Sequence, residues 1–207
     1  MFSVKSVVII GSGNVATHLG TAFLKNGIDI KGVFSTTLDH AQELAEKLKT
    51  KAFASITDIP KDADAYLLAI SDWALSETVR QLPSVDGIVM HTSGSIGLGI
   101  FSGTIKRAAV FYPLQTFSKN KEVDLSLVPI LIESDDTEIV ESLKELGNKF
   151  SEHIKEVDSH QRKQLHLAAV FACNFSNYMY YIAQDLLQEK GLDFNLIKPL
   201  IKETAKK

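Results

Sequence analysis

Cysteine is almost absent: Cys173 is the only one among 207 residues. It cannot close an internal disulfide, which excludes a disulfide-stapled secreted scaffold and suits a reducing compartment. Positive charge is scarce as well, with 22 Lys and Arg against 25 Asp and Glu and a formal net charge of −3. Such a chain has no basic field with which to release counterions, so nucleic acid is not expected as a partner. Long apolar runs are missing, and Met1-Phe2-Ser3-Val4-Lys5 leads straight into a first strand rather than a signal peptide. No membrane partner and a cytoplasmic location are therefore expected. The six histidines, at 18, 40, 91, 153, 160 and 166, form no H-x-x-x-H pair and no cluster with cysteine, so no built-in metal site is expected. Gly94-Ser95-Ile96-Gly97 is not a nucleophile elbow and no P-loop lysine follows the first glycines. Hydrolase and phosphotransferase chemistry drop out.

With 45% hydrophobic and 23% charged residues, the chain can bury one substantial core plus a smaller unit. Its most informative stretch is Val7-Val8-Ile9-Ile10-Gly11-Ser12-Gly13-Asn14-Val15-Ala16, an apolar strand that breaks into glycines and turns amphipathic. Gly11 permits a sharp turn, Gly13 lets a diphosphate approach the backbone, and Ala16 takes the small position where helix and strand pack. The free N–H groups and dipole of the following helix favour an anion there. A dinucleotide is the implied ligand, and Gly11, Ser12, Gly13, Asn14, Val15 and Ala16 are its first candidate contacts.

Further along, Ile28 to Phe34 reads as a second parallel strand ending at Ser35-Thr36-Thr37. In NAD-binding folds an acidic residue about 20 positions beyond the glycines holds the adenine ribose. Small hydroxyls occupy that place here, so NADP is expected over NAD, with NAD still open because no arginine is present and Asp39 is close. The alternative is that these residues only cap the next helix, Leu38 to Lys49. The strand Ala65 to Ile70 presents Ser71 and Asp72 at its carboxyl end, where ligands lie in open α/β sheets; Asp72 is equally an N-cap. Gly87 to His91 leads into Thr92, Ser93 and Gly94, a loop able to position a nicotinamide ribose or a substrate carbonyl, or an ordinary flexible connection. The apolar segment Leu114-Gln115-Thr116-Phe117-Ser118 is expected to pack on the cofactor or a second domain. Leu127 to Ile132 reads as a late strand, Asp136 to Phe150 as a helix and Ile154 to Val157 as a short edge strand.

From His160 to about Lys190 the pattern is one helix, apolar on nearly every side, which implies burial all round. Too little chain follows to wrap it. A partner subunit or a sequence that stops inside the domain would explain this, and both are expected. His166, Val170 and Asn174 recur every four residues and share a face. His166 and Asn174 are the candidate catalytic residues, able to protonate or hold a carbonyl or imine between this face and the Ser93 loop; the alternative is two satisfied core side chains. Cys173 has no cationic neighbour and reads as a small core residue.

Four segments, Ile10 to Ala16, His91 to Ser95, Phe111 to Phe117 and His166 to Phe175, together resemble bacterial Rossmann-like proteins with a C-terminal helical domain of unknown function. These are related to deazaflavin-dependent NADP reductase and pyrroline-carboxylate reductase within the 6-phosphogluconate dehydrogenase-like superfamily. The resemblance implies an α/β fold: a doubly wound, mostly parallel Rossmann sheet over 1–157, then an all-helical domain, incomplete here, over 158–207. It also implies a homodimer through the C-terminal helices, and hydride transfer between NADP and a small-molecule substrate or deazaflavin. In wider relatives a lysine stands one helical turn before the asparagine, where this chain has Val170. Valine donates no proton, so a non-catalytic, redox-sensing NADP-binding protein is the alternative.

Overall fold

The first strand, β1 (Ser6–Ile10), is buried at all five positions, and its unbroken apolar run is what a strand covered on both faces requires. The computed structural model describes residues 2–206. Seven more strands join β1: β2 (Asp29–Phe34), β3 (Ala52–Phe53), β4 (Ala65–Leu68), β5 (Ile88–His91), β6 (Ala108–Pro113), β7 (Ile130–Glu133) and β8 (Ile154–Glu156). Their order is β3-β2-β1-β4-β5-β6-β7-β8. The chain therefore runs outward from β1 to β3 and returns to β4 on the other side of β1. A crevice opens where the two directions part, at the carboxyl ends of β1 and β4.

Helices α1 (Asn14–Lys25), α2 (Leu38–Lys47), α3 (Asp72–Gln81) and α4 (Thr137–Asn148) make the crossovers. Leu19, Phe23, Leu44, Leu143 and Leu146 pack on the sheet face that carries Ile9, Leu67, Met90 and Phe111. Leu75 and Val79 of α3, with Phe101, cover the face of Val8, Ile10, Tyr66, Leu68 and Val89. Each such side chain, fully buried, contributes about 1.5–3 kcal/mol. The Asp136 carboxylate caps α4 by accepting from the Glu138 and Ile139 N–H groups at 2.8 and 3.4 Å.

One pairing departs from the parallel rule. β6 and β7 are antiparallel, because Leu114 to Pro129 contains only a three-residue 3-10 turn and no crossover helix to carry the chain back. Within that connection Phe117 is buried in the first core and stacks on His18, with ring centroids 4.8 Å apart. Phe117 thus packs on α1, while Gln115 and Thr116 are exposed.

The chain divides into two compact units, up to Lys163 and from Gln164 onward, six residues beyond the boundary expected from sequence. The division falls inside α5 (Ser159–Ala169). In the second unit a π-helical stretch, Val170–Phe175, leads into α6 (Ser176–Gln188), and α7 (Lys198–Thr204) follows. In the single chain Leu167, Phe171, Phe175, Met179 and Leu186 are exposed, so the apolar sides of these helices are left uncovered. No helix among the described residues is long and apolar enough to cross a membrane.

Candidate functional site

The turn after β1 is fixed by backbone geometry. Gly11 has φ +116°, a region closed to residues with a side chain, and its N–H donates to the Phe34 carbonyl at 2.7 Å. A Cβ there would lie 2.1 Å from the Ala69 carbonyl oxygen. Gly13, at the N-cap of α1, is different: a Cβ would meet nothing within 4 Å. The space above it is the space a ligand needs. The N–H groups of Asn14, Val15 and Ala16 open α1 without intrahelical partners, and the first turn carries no acidic residue.

Over this turn lies a cleft of about 470 Å³, within the range of small-ligand sites. It gathers ten of the expected cofactor contacts: Gly11, Ser12, Gly13, Asn14, Val15, Ser35, Thr36, Ile70, Ser71 and Thr92. None of the described residues that line it carries a charged side chain. Ser12 Oγ donates to Ser35 Oγ at 3.0 Å, tying the glycine turn to the end of β2 while leaving the Ser35 proton free to donate. Asn14 Nδ2 donates to the Phe117 carbonyl at 2.9 Å, so its side chain holds the chain segment beside α1.

Five expected contacts lie outside the cleft lining. Ala16, on the inward side of α1, is fully buried. Thr37 occupies the N-cap position of α2 without a side-chain capping bond. Asp72, in the first turn of α3, accepts from Ser95 Oγ. Ser93 Oγ accepts from the N–H groups of Ser95 and Ile96 at 3.1 and 3.0 Å, and Gly94 is buried beside it. Phe34, Trp73, Ala74 and Thr78 line the cleft and were not singled out from sequence. Ala74 and Thr78, four apart on the helix after β4, carried a signal in that spacing.

The Ser93 loop is held by a residue that sequence reading missed. Arg162 is fully buried; it pairs with Glu133 and donates to the carbonyls of Ser93 at 3.2 Å and Ile96 at 2.6 Å. Ser159 Oγ adds a 2.7 Å bond to Glu133 and accepts from Leu98 N–H at 3.1 Å. The loop is thus pinned to the end of β7 and the start of α5. Tyr112, at the carboxyl end of β6, has its hydroxyl pKa raised, mainly by burial and also by Asp72, with Arg162 pulling the other way.

Below the loop, His91 is buried and stacks on Phe101 with centroids 5.4 Å apart. Its Nδ1 accepts from Ser93 N–H at 3.1 Å, which places the ring proton on Nε2. Burial first, and then the Arg162 charge, lowers its pKa to about 4 against weaker opposing effects from the Gly97 backbone and Asp72. Between the ordinary 6.5 and about 4 the unfolded chain binds a proton here that the folded protein refuses. Stability therefore falls as pH drops through that window and is fully present above it. Acidification from pH 7 to 4 is expected to cost roughly 3 kcal/mol through this ring. His91→Phe should remove that share of the pH dependence in denaturant titrations; an unchanged slope would contradict it.

The two candidate catalytic residues lie in the second unit. His166 on α5 is half-buried, and Asn174 in the π-helical stretch is exposed. Four residues overshoot a full turn of α-helix by about 40°, whereas in a wider π turn they fall short. These drifts oppose each other, so His166 and Asn174 share a face more closely than a regular helix would allow. No group of His, Cys, Asp and Glu among the described residues could hold a metal ion.

A doubly wound sheet with a glycine turn and an open cleft at the switch point defines a Rossmann-type nucleotide-binding protein. The model of the Rossmann-like domain matches residues 3–116, more than half of the chain, which therefore belongs to the Rossmann-like family. A domain of unknown function, DUF2520, matches residues 128–207. Among solved structures, a Bacteroides fragilis protein provisionally designated an NADP oxidoreductase is 38% identical, with a TM-score of 0.90 over 98% of this chain and 80% of that one. A Thermotoga maritima protein is 22% identical with a TM-score of 0.79, over 97% of this chain and 78% of that one. A reductive aminase from Aspergillus terreus, solved with NADPH and ethyl-5-oxohexanoate, is 17% identical with a TM-score of 0.77, over 99% and 73% respectively. No curated protein matches the sequence.

Proposed function

We propose that this chain is an NADP-dependent oxidoreductase, passing hydride between the nicotinamide and a small substrate or deazaflavin. The observation that carries the reading is the unfilled space over Gly13, facing unpaired first-turn amides in a cleft with no charged lining. The designation of the Bacteroides fragilis relative supports it. NADP is preferred over NAD because no carboxylate at the end of β2 repels the extra phosphate, and Ser35 and Thr36 offer hydroxyl donors. Asp39 sits in the first turn of α2 and is not part of the lining.

His166 and Asn174 are proposed to hold or protonate the substrate. Val170 favours a second reading, nucleotide binding without turnover, since no lysine stands there to donate a proton. Calorimetry should show NADPH binding more tightly than NADH; equal affinities would overturn the cofactor preference, and no uptake of either would overturn the dinucleotide site. NADPH oxidation over a panel of carbonyls and imines, repeated with His166→Ala, separates the two readings: binding without turnover throughout favours the second. The exposed apolar side chains of the second unit support a homodimer, which the mass in solution checks.

A further inference from the structure

The chain has one tryptophan, and it is 88% exposed. An indole so open to water is uncommon in a folded chain, because most of its surface is apolar. Trp73 is not stranded on a remote surface. It lines the dinucleotide cleft at the first turn of α3, with Ala74 and Thr78 one turn apart beside it. Phe34 and Ile70 line the same cleft, both partly buried and packed against the core beneath α3. Together they make one mostly apolar stretch of the cleft, with Trp73, Ala74 and Thr78 as its helical side, a slot whose chemistry suits a flat ring.

Which ring enters is settled by the neighbouring strand. The slot is continuous with Ser35 and Thr36 at the carboxyl end of β2, the position that meets the adenosine ribose in a dinucleotide-binding sheet. Of the loop after β5 only Thr92 reaches this cleft, and Ser93–Ser95 do not. The geometry points to Trp73 as the stacking platform for the adenine base, an inference that rests on the dinucleotide reading above. The base covers the indole on binding, and the indole sets the affinity for the adenosine half. Stacking is indifferent to hydrogen-bonding edges, which suits a slot lined by only one polar side chain on its helical wall, Thr78.

All tryptophan emission comes from Trp73, so fluorescence and calorimetry run on the same samples test the assignment. The probes are NADP⁺, adenosine bisphosphate (the adenine half of NADP) and nicotinamide mononucleotide. NADP⁺ and adenosine bisphosphate are expected to change the emission and to shield the indole from iodide, and nicotinamide mononucleotide to do neither. Trp73→Ala should weaken adenosine bisphosphate roughly tenfold by calorimetry, and Trp73→Phe should restore most of that loss. Heat of binding with no change in emission or shielding, or an Ala variant that binds as tightly, overturns the platform and leaves the dinucleotide site standing. No heat with any probe removes both. Shielding that grows with protein concentration before any nucleotide is added shows that a second copy covers the indole, and overturns the platform.

Discussion

Replacing Arg162 with alanine is expected to destabilise the protein by about 3–5 kcal/mol, because removing one member of a buried ion pair leaves the other charge uncompensated. Glu133, with its side chain only 14% exposed, would keep a hydroxyl partner in Ser159 but no cation. The Ser93 and Ile96 carbonyls would lose their donor as well. A domain with about 5–15 kcal/mol in total gives up a large part of its margin. Urea titration measures this as a lower midpoint at unchanged slope. The double variant Arg162→Met with Glu133→Gln should recover much of the loss, since it removes both charges. Arg162→Lys should not recover it fully, because one ammonium cannot span a carboxylate and two carbonyls as a planar fork does. A loss below about 1 kcal/mol for the alanine variant, the size of an exposed pair, would mean that the network does not hold the loop.

The two glycines of the turn should respond in opposite ways. Gly11→Ala puts a methyl 2.1 Å from the Ala69 oxygen at a φ of +116°. Strain and overpacking together should cost about 3 kcal/mol or more. Gly13→Ala meets open space and should cost under about 1 kcal/mol, alanine being a poorer N-cap than glycine. Its methyl, however, stands in the path of the diphosphate, so NADPH affinity should fall at least tenfold, or ~1.4 kcal/mol. Calorimetry on the well-folded Gly13 variant is the decisive measurement. Undiminished affinity would place the diphosphate somewhere other than over α1.

The turn was legible in the sequence because its requirements are local: an apolar run, then residues without a Cβ where φ turns positive or a ligand approaches. The helices and strands around it followed from periodicity for the same reason. The direction of β7 was not legible from its own residues, since Ile130 to Glu133 reads alike either way. It depended on noticing that Leu114 to Pro129 holds no crossover helix. Arg162 was hidden in the polar run His160-Gln161-Arg162-Lys163-Gln164, which looks like a solvated helix start. Its one signal was electrostatic: a cation in the first turn of a helix is disfavoured by the dipole, so something else had to hold it there. Trp73 carries no such signal of its own, because a lone indole at a helix start reads alike at an open cleft and in a core.

Trp73 has a partner in scarcity. The only tryptophan lies in the first unit and the only cysteine, the exposed Cys173, in the second. A thiol-reactive acceptor dye on that sulfur would make the unmutated chain its own molecular ruler, with one donor and one acceptor. Energy transfer between them, referred at each step to the unlabelled chain so that the direct effect of nucleotide on Trp73 emission cancels, would report the separation of the two units in solution and any change in it when nucleotide arrives.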